Sequence, residues 1–412
     1  MDRRRLLLAI GFVISVSIFG YLLYLFFFRN LLNPGVTVPA NQNTNGTLPT
    51  PVNGNISTVN STNQSFPGFN IGTIDTQAPS DLARGGLTNV QDYQGPAVST
   101  GFSVGDKGVL FYNSQAGIFY KLGADGRSLP LTDKKFFNVS NVVWSGNQDK
   151  AVIEYPDGSN VVYDFTTNKQ IASLPKELTD FSFDPTGTKL AGEWIGKNKD
   201  QNWLMSTDID GNNLRLVEPL ADQAENTQVA ISPDSQVLAL FRKAAGATTQ
   251  TILPVGANGE NFESFTVNGL QFQSKWSPKG NDLLYNVASR DDNYGPHLWL
   301  TSGTTQTLGS SHLDLGLNTW ASKCTFNAGA TSIYCAEPTQ VVRGSGLYPE
   351  LAAGVPDVFY RIDLKTGQKV PLAVPVGSQA GYSASSVSLS PDESVLYFID
   401  AGTNALHSIR LK

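Results

Sequence analysis

One short phrase recurs seven times between residues 100 and 395. A large apolar residue precedes Ser, Asp or Asn, a turn often containing Pro or Gly follows, and a second apolar run comes next. The copies are Phe102-Ser103, Trp144-Ser145, Phe183-Asp184, Ile231-Ser232, Trp276-Ser277, Phe326-Asn327 and Leu389-Ser390. Their spacing of roughly 40 to 60 residues is that of a blade of several strands, longer than a solenoid repeat.

The positions before each turn alternate, as in Val142/Trp144, Phe181/Phe183, Val229/Ile231, Cys324/Phe326 and Val387/Leu389. That is the period of a half-buried strand. Six residues after the Ser-equivalent an apolar residue returns: Leu190, Leu238, Leu283, Ile333 and Leu396. The offset predicts that Trp276 faces Leu283 and Leu389 faces Leu396. Asp184-Pro185, Pro233-Asp234, Pro278-Lys279-Gly280 and Pro391-Asp392 preset the reversal. Third strands are expected at Gly117–Lys121, Asn160–Phe165, Trp203–Thr207, His297–Thr301, Val358–Leu364 and Leu406–Leu411. The reading is an all-β, seven-bladed β-propeller over residues 85–412. Its last blade runs out of chain, so the segment Leu87–Val98 is expected to supply the missing outer strand and close the ring.

"Ser-Pro-Asp-x-x-x-Leu" followed by an "Asp-Gly-x-x-x-x-Leu" turn resembles the TolB-type, WD-like propeller repeat. The second half stands at Ala124-Asp125-Gly126-Arg127-Ser128-Leu129-Pro130-Leu131 and at Asp208-Ile209-Asp210-Gly211-Asn212-Asn213-Leu214-Arg215-Leu216. The resemblance covers about residues 100 to 412. Copies one, two and six lack the Pro-Asp pair. It implies a fold and no particular activity, because propellers host many tasks.

Arg3, Arg4 and Arg5 precede an uncharged apolar run over residues 6–28. At a helical rise of 1.5 Å per residue, that run covers roughly 35 Å, enough for a bilayer. It ends in Tyr24-Leu25-Phe26-Phe27-Phe28, a poor cleavage site, which favours an uncleaved signal anchor over a signal peptide. After Arg29 no charged residue appears until Asp75. The positive-inside rule therefore puts the tail 1–5 in the cytoplasm and the propeller outside, on a single-pass membrane protein. Residues 29–84 are rich in Asn, Thr, Ser and Pro and read as a flexible linker. Asn45-Gly46-Thr47, Asn55-Ile56-Ser57 and Asn60-Ser61-Thr62 match the glycosylation pattern, which such a tract also produces by chance.

A net charge of −6 gives no basic field for nucleic acid. Three His (His297, His312, His407) argue against a His-rich metal site, and the residues imply no metal and no cofactor. If Phe326 pairs with Ile333, Cys324 lies opposite Cys335, within disulfide range in an extracytoplasmic domain. No Gly-x-Ser-x-Gly elbow or sialidase-type Asp box occurs, so no catalytic residue is assigned. Asp208-x-Asp210-Gly211 reads as a β-turn, since a calcium loop needs ligands over twelve residues. Trp144 and Trp276 hold the repeating core position, which explains them better than a sugar platform does.

Long connections interrupt the repeat at Gly196–Asn202, Ser289–Pro296 and Glu337–Asp357, all expected on one face. Compact connections are usually short, although surface loops tolerate insertion cheaply. Lys197, Lys199, Arg290, Asp291, Asp292, Tyr294, Arg343 and Tyr348 are the candidate binding residues there. The favoured function is a membrane-anchored, non-catalytic module that binds a protein or cell-envelope component. The alternatives are an envelope glycan hydrolase or lyase with a site in the channel, or a structural part of a secretion or surface-layer assembly.

Overall fold

The computed structural model describes residues 78–412, except 94, 124 and 261. The expected cytoplasmic tail, the apolar run 6–28, the glycosylation patterns and nearly all of the linker lie outside the described residues. Among the described residues no helix is long and apolar enough to cross a membrane.

Seven sheets follow one another along the chain, and each is a blade. Strands are counted outward from the central channel. The first strands are Thr100–Gly105, Asn141–Trp144, Leu178–Phe183, Thr227–Val229, Leu270–Trp276, Cys324–Phe326 and Ala384–Leu389. Neighbouring strands within blades 1 to 5 are antiparallel. The expected registers are present: Trp276 faces Leu283, Phe183 faces Leu190, Phe326 faces Ile333 and Leu389 faces Leu396.

The Ser, Asp or Asn of the repeated phrase has a local task. Its side-chain oxygen accepts the backbone N–H five residues on, which staples the hairpin. Ser145 takes Lys150, Asp184 takes Lys189, Ser232 takes Val237, Ser277 takes Asp282, Asn327 takes Ser332 and Ser390 takes Val395. The residue three after it adopts a left-handed backbone each time: Gln148, Gly187, Ser235, Gly280, Ala330 and Glu393. Blade 1 departs from this rule. Its hairpin closes two residues later than the Phe102-Ser103 phrase predicts, with Gly105 opposite Gly108. A two-residue turn there needs no staple.

The ring is closed by the N-terminal segment, as expected, but that segment splits. Gln91–Asp92 is the outer strand of blade 7, pairing antiparallel with Ser408 and His407. Asp92 bonds His407 Nδ1 at 2.8 Å and the Tyr93 hydroxyl meets Ser408 Oγ at 2.8 Å. Leu87–Asn89 instead lies parallel to Val374–Val376, as a fifth strand on blade 6. Hydrogen bonds to the propeller reach back to Ala83, whose N–H donates to Arg410.

The core sits between blades, each sheet packing its neighbour. Leu190, Phe181 and Phe183 of blade 3 meet Val152 and Val162 of blade 2, while Ala191 and Leu204 meet Leu238 and Ala239 of blade 4. Trp144 and Trp276 pack half-buried in this core, and each indole N–H donates to a carbonyl of the preceding blade, Gly101 and Ala230. Cys324 and Cys335 form a disulfide across blade 6, with Cα atoms 4.1 Å apart. Asp208 to Gly211 is a turn, closed by the Gly211 N–H on the Asp208 carbonyl.

Candidate functional site

Two regions depart from the repeat. The first is the loop face. The long connections occupy 195–202, 289–295 and 339–356; Pro296, Glu337 and Asp357, expected in loops, belong to strands. The blade 5 and blade 6 loops are hydrogen-bonded together. Gly344 N–H donates to the Asn293 carbonyl and Gly346 N–H to the Tyr294 carbonyl. Asn293 and Tyr294 are both left-handed, which turns their carbonyls toward the neighbouring loop. Gly346 must be glycine here, since a Cβ would stand 2.7 Å from Ala288 and from the Gly295 backbone. Beneath the loops, Val342, Ala352 and Val355 pack on Trp320.

This ridge gathers five of the candidate binding residues: Arg290, Asp291, Tyr294, Arg343 and Tyr348. Tyr348 is 59% exposed, and Leu351 and Val341 beside it are 50% and 42% exposed. Asp292 is committed inward: it accepts the Ser289 hydroxyl at 2.6 Å and bonds His297 Nδ1 at 3.1 Å. His297 Nε2 bonds Asp314 at 2.7 Å, so its two nitrogens serve to position the loop base. Lys197 and Lys199 stand on the separate blade 3 loop, which Asn202 ties to Ala221 of its own outgoing linker.

The second region is a cavity of about 560 Å³ in the central channel. Its walls come from the first strands of blades 2 to 5, together with Arg242, Ala321 and Ser322. Asp180 enters it through a bulge: the register of the first strand of blade 3 shifts between Thr179 and Ser182. Asp180 is left-handed, with φ 52°, and exposed. Bulges re-aim side chains, and a non-glycine residue held left-handed is an informative outlier. Gly192 makes room for the bulge, because a Cβ there would stand 3.1 Å from the Thr179 carbonyl and 3.4 Å from Phe181.

Behind Asp180 lies Glu193, on the second strand of blade 3 and only 2% exposed. Its carboxyl makes no hydrogen bond among the described residues, and Oε1 is fully buried. Burial, and then the charge of Asp180, push its pKa up to about 8, with Arg242 opposing them. Glu154 is also raised, by burial and less by Asp180, against a hydrogen bond from Asn141. On the far wall Lys275 donates to the Cys324 carbonyl at 2.8 Å, and burial lowers its pKa to about 8. Arg242 donates to the carbonyls of Glu225, Asn226 and Phe272, and burial lowers its pKa too.

Sequence reasoning missed this cavity, although a signal exists. A polar residue lies within the last three positions of the second strand of every blade, though not at one register: Asn113, Glu154, Glu193, Arg242, Asn286, Glu337 and Asp400. In six blades it ties down the chain entering that blade or the next. Asn113 donates to Ala97, Glu154 accepts Asn141, Asn286 accepts Ala321, Glu337 accepts Asn318 and Asp400 accepts Ser383. Arg242 serves the same end through its three carbonyls. Glu193 alone has no such partner among the described residues. The described residues include no cluster of three or more His, Cys, Asp or Glu able to hold a metal.

No family model and no curated protein matches the sequence. Solved structures match the fold. A chain of a mitotic checkpoint complex aligns over 85% of this chain and 100% of its own, at 12% identity and TM-score 0.52. The Cps50 (Swd1) β-propeller domain of Myceliophteria thermophila covers 78% of this chain and 100% of its own, at 10% identity and TM-score 0.50. An oligogalacturonate lyase in complex with manganese aligns over 80% of this chain and 99% of its own, at 12% identity and TM-score 0.48. At such identities the likeness is one of fold alone.

Proposed function

We propose that this chain is a TolB-type propeller acting as a non-catalytic binding module. Its N-terminal apolar segment holds it on the outer side of a membrane, where it takes a protein or cell-envelope partner on the blade 5 and 6 ridge. The observation that carries this reading is the pair of hydrogen bonds from Gly344 and Gly346 into the blade 5 loop. They give two long insertions one shared, ordered surface, so little loop entropy is lost when a partner docks. Tyr348, Leu351 and Val341 supply exposed apolar anchors, and Arg343 and Arg290 supply charged ones. A tether to the membrane raises the effective concentration of partners found there.

A photo-crosslinking residue at Tyr348 should capture a discrete partner in membranes, and Leu351→Asp in the same chain should abolish the adduct. The same probe at Leu129, on the outer edge of blade 1, should capture none. Equal labelling from both sites would overturn this reading.

The envelope glycan hydrolase or lyase is kept as the second reading for one observation, the Glu193 carboxyl beside Asp180 with its pKa pushed up to about 8 by burial. The deep burial of Glu193 works against it, since a general acid must reach the leaving oxygen. Turnover of an envelope polysaccharide that Asp180→Asn abolishes would favour the enzyme and sink the non-catalytic module.

A further inference from the structure

We propose that Lys323 and Asp357 close an intramolecular isopeptide bond, an amide from Lys323 Nζ to Asp357 Cγ that locks blade 6 at the base of the loop ridge. The proposal does not depend on what the ridge binds.

The two side chains meet from positions 34 residues apart. Lys323 ends the short helical turn Ala321–Lys323 and leads into the first strand of blade 6, while Asp357 opens the third strand, straight after the 339–356 loop. Lys323 Nζ stands 2.6 Å from Asp357 Oδ1, and the two side chains are 8% and 0% exposed. Among the described residues this is the one Lys–carboxylate pair buried at both ends. Lys107–Asp149, Lys176–Asp157 and Lys369–Glu337 all reach solvent.

The hydrogen bonds at this site suit an amide better than an ion pair. An ammonium carries three N–H donors. Asp357 is the one hydrogen-bond acceptor that Lys323 Nζ meets among the described residues, and the Trp320 ring lies 5.6 Å from it. Asp357 Oδ2 accepts the Ala384 N–H at 2.5 Å. An amide has a single N–H to satisfy, and its carbonyl oxygen keeps the Ala384 bond. A buried ion pair also carries a desolvation penalty that its attraction often fails to offset, and condensation removes both charges.

The geometry also favours the reaction. Nucleophile and carboxyl are held in contact on ordered elements, and a backbone N–H points at the oxygen that gains charge. Burial pushes the Asp357 pKa up to about 6 against the pull of Lys323, and the Glu337 charge adds a smaller upward push. The ammonium passes one proton to Oδ1, giving an amine and a carboxylic acid. The Nζ lone pair attacks Cγ, the Nζ–Cγ bond forms, and Oδ2 takes negative charge toward the Ala384 N–H. Nζ passes a second proton to the Oδ1 hydroxyl. The Cγ–Oδ1 bond breaks as Oδ2 regains its double bond, and one water leaves. Nothing is oxidised or reduced. The bond joins the first and third strands of blade 6, beside the Cys324–Cys335 disulfide that joins the first and second.

Mass spectrometry of the purified full-length chain, reduced and denatured, tests this. Its intact mass should fall short of the sequence mass by one water. Trypsin should leave the Lys323–Cys324 peptide bond uncut, and fragmentation should place a branch between Lys323 and Asp357. Lys323→Arg keeps the cation and cannot form the amide, so that chain should weigh its full sequence mass. A wild-type chain at full sequence mass would overturn the proposal, and this reading needs no variant to fold. A water loss that survives Lys323→Arg would overturn it as well.

Discussion

Blade 3 and blade 7 each carry a buried acidic residue near the end of the second strand, one residue apart in register, and use it in opposite ways. Asp400 accepts the N–H groups of Ser383, Gly402 and Thr403, so its carboxylate fastens the blade to its linker. Glu193 accepts no hydrogen bond among the described residues, and it sits behind the left-handed Asp180 on the wall of the channel cavity. Glu193 is the fifth residue of its strand and Asp400 the sixth of its own, so the two project from opposite faces of their sheets. They differ also in whether the entering backbone supplies a donor. A repeat protein thus shows its own exceptions: six blades bond a polar residue near the end of the second strand, and blade 3 buries one without a partner among the described residues.

The largest effect should come from the way blade 7 is completed. Blade 3 makes all four of its strands from consecutive chain, whereas blade 7 borrows Gln91–Asp92. Deleting residues 85–98 also removes the Asp92–His407 and Tyr93–Ser408 bonds and bares two sheet edges. Thermal melts of the deleted chain should show a midpoint lower by more than about 10 °C, or no cooperative transition. An unchanged midpoint would mean that the ring is not held by its closing strand.

Next in size is Asp400→Ala, which strands several backbone donors of blade 7. A loss of roughly 2–3 kcal/mol in urea unfolding is expected. A silent substitution would erase the contrast with Glu193 from the structural side. The smallest effect concerns the hairpin turns. Ala330 and Gly187 occupy the same left-handed position in blades 6 and 3. Ala330→Gly should stabilise by about 0.5–1 kcal/mol, and Gly187→Ala should cost about as much, because glycine alone takes that conformation freely. Shifts of equal sign in the two variants would show that the turns are not equivalent.

Much of this architecture was legible in the residues. The Ser, Asp or Asn of each phrase is chosen by a hydrogen bond within five residues, and such local chemistry leaves a repeated trace. The same holds for the facing of Cys324 and Cys335, which follows from strand register. Blade 1 escaped because Gly105 and Gly108 build a tighter turn with no staple, so the phrase was read two residues early. The split of the closing segment escaped because Leu87–Asn89 pairs with Val374–Val376, far away in sequence. The candidate loops were found by length, but only the structure distinguishes Asp292, bonded inward, from Arg290 and Tyr348, which face out. Glu193 was hidden because a polar residue near the end of a second strand is ordinary in this chain, and its lack of a partner among the described residues shows only in three dimensions.

The pH dependence of Glu193→Gln tests the central claim most directly. Burial raises the Glu193 pKa from 4.5 to about 8 in the folded chain, so the folded state holds this proton more tightly than the unfolded one. Its contribution to stability is therefore full below about pH 4.5 and is lost as the pH rises toward 8. Glutamine keeps the shape and cannot ionise. Urea unfolding of both chains at pH 5 and pH 8 should show the variant gaining on the wild type by roughly 2–4 kcal/mol across that interval. A gap that stays the same at both pH values would mean that Glu193 is partnered and ordinary.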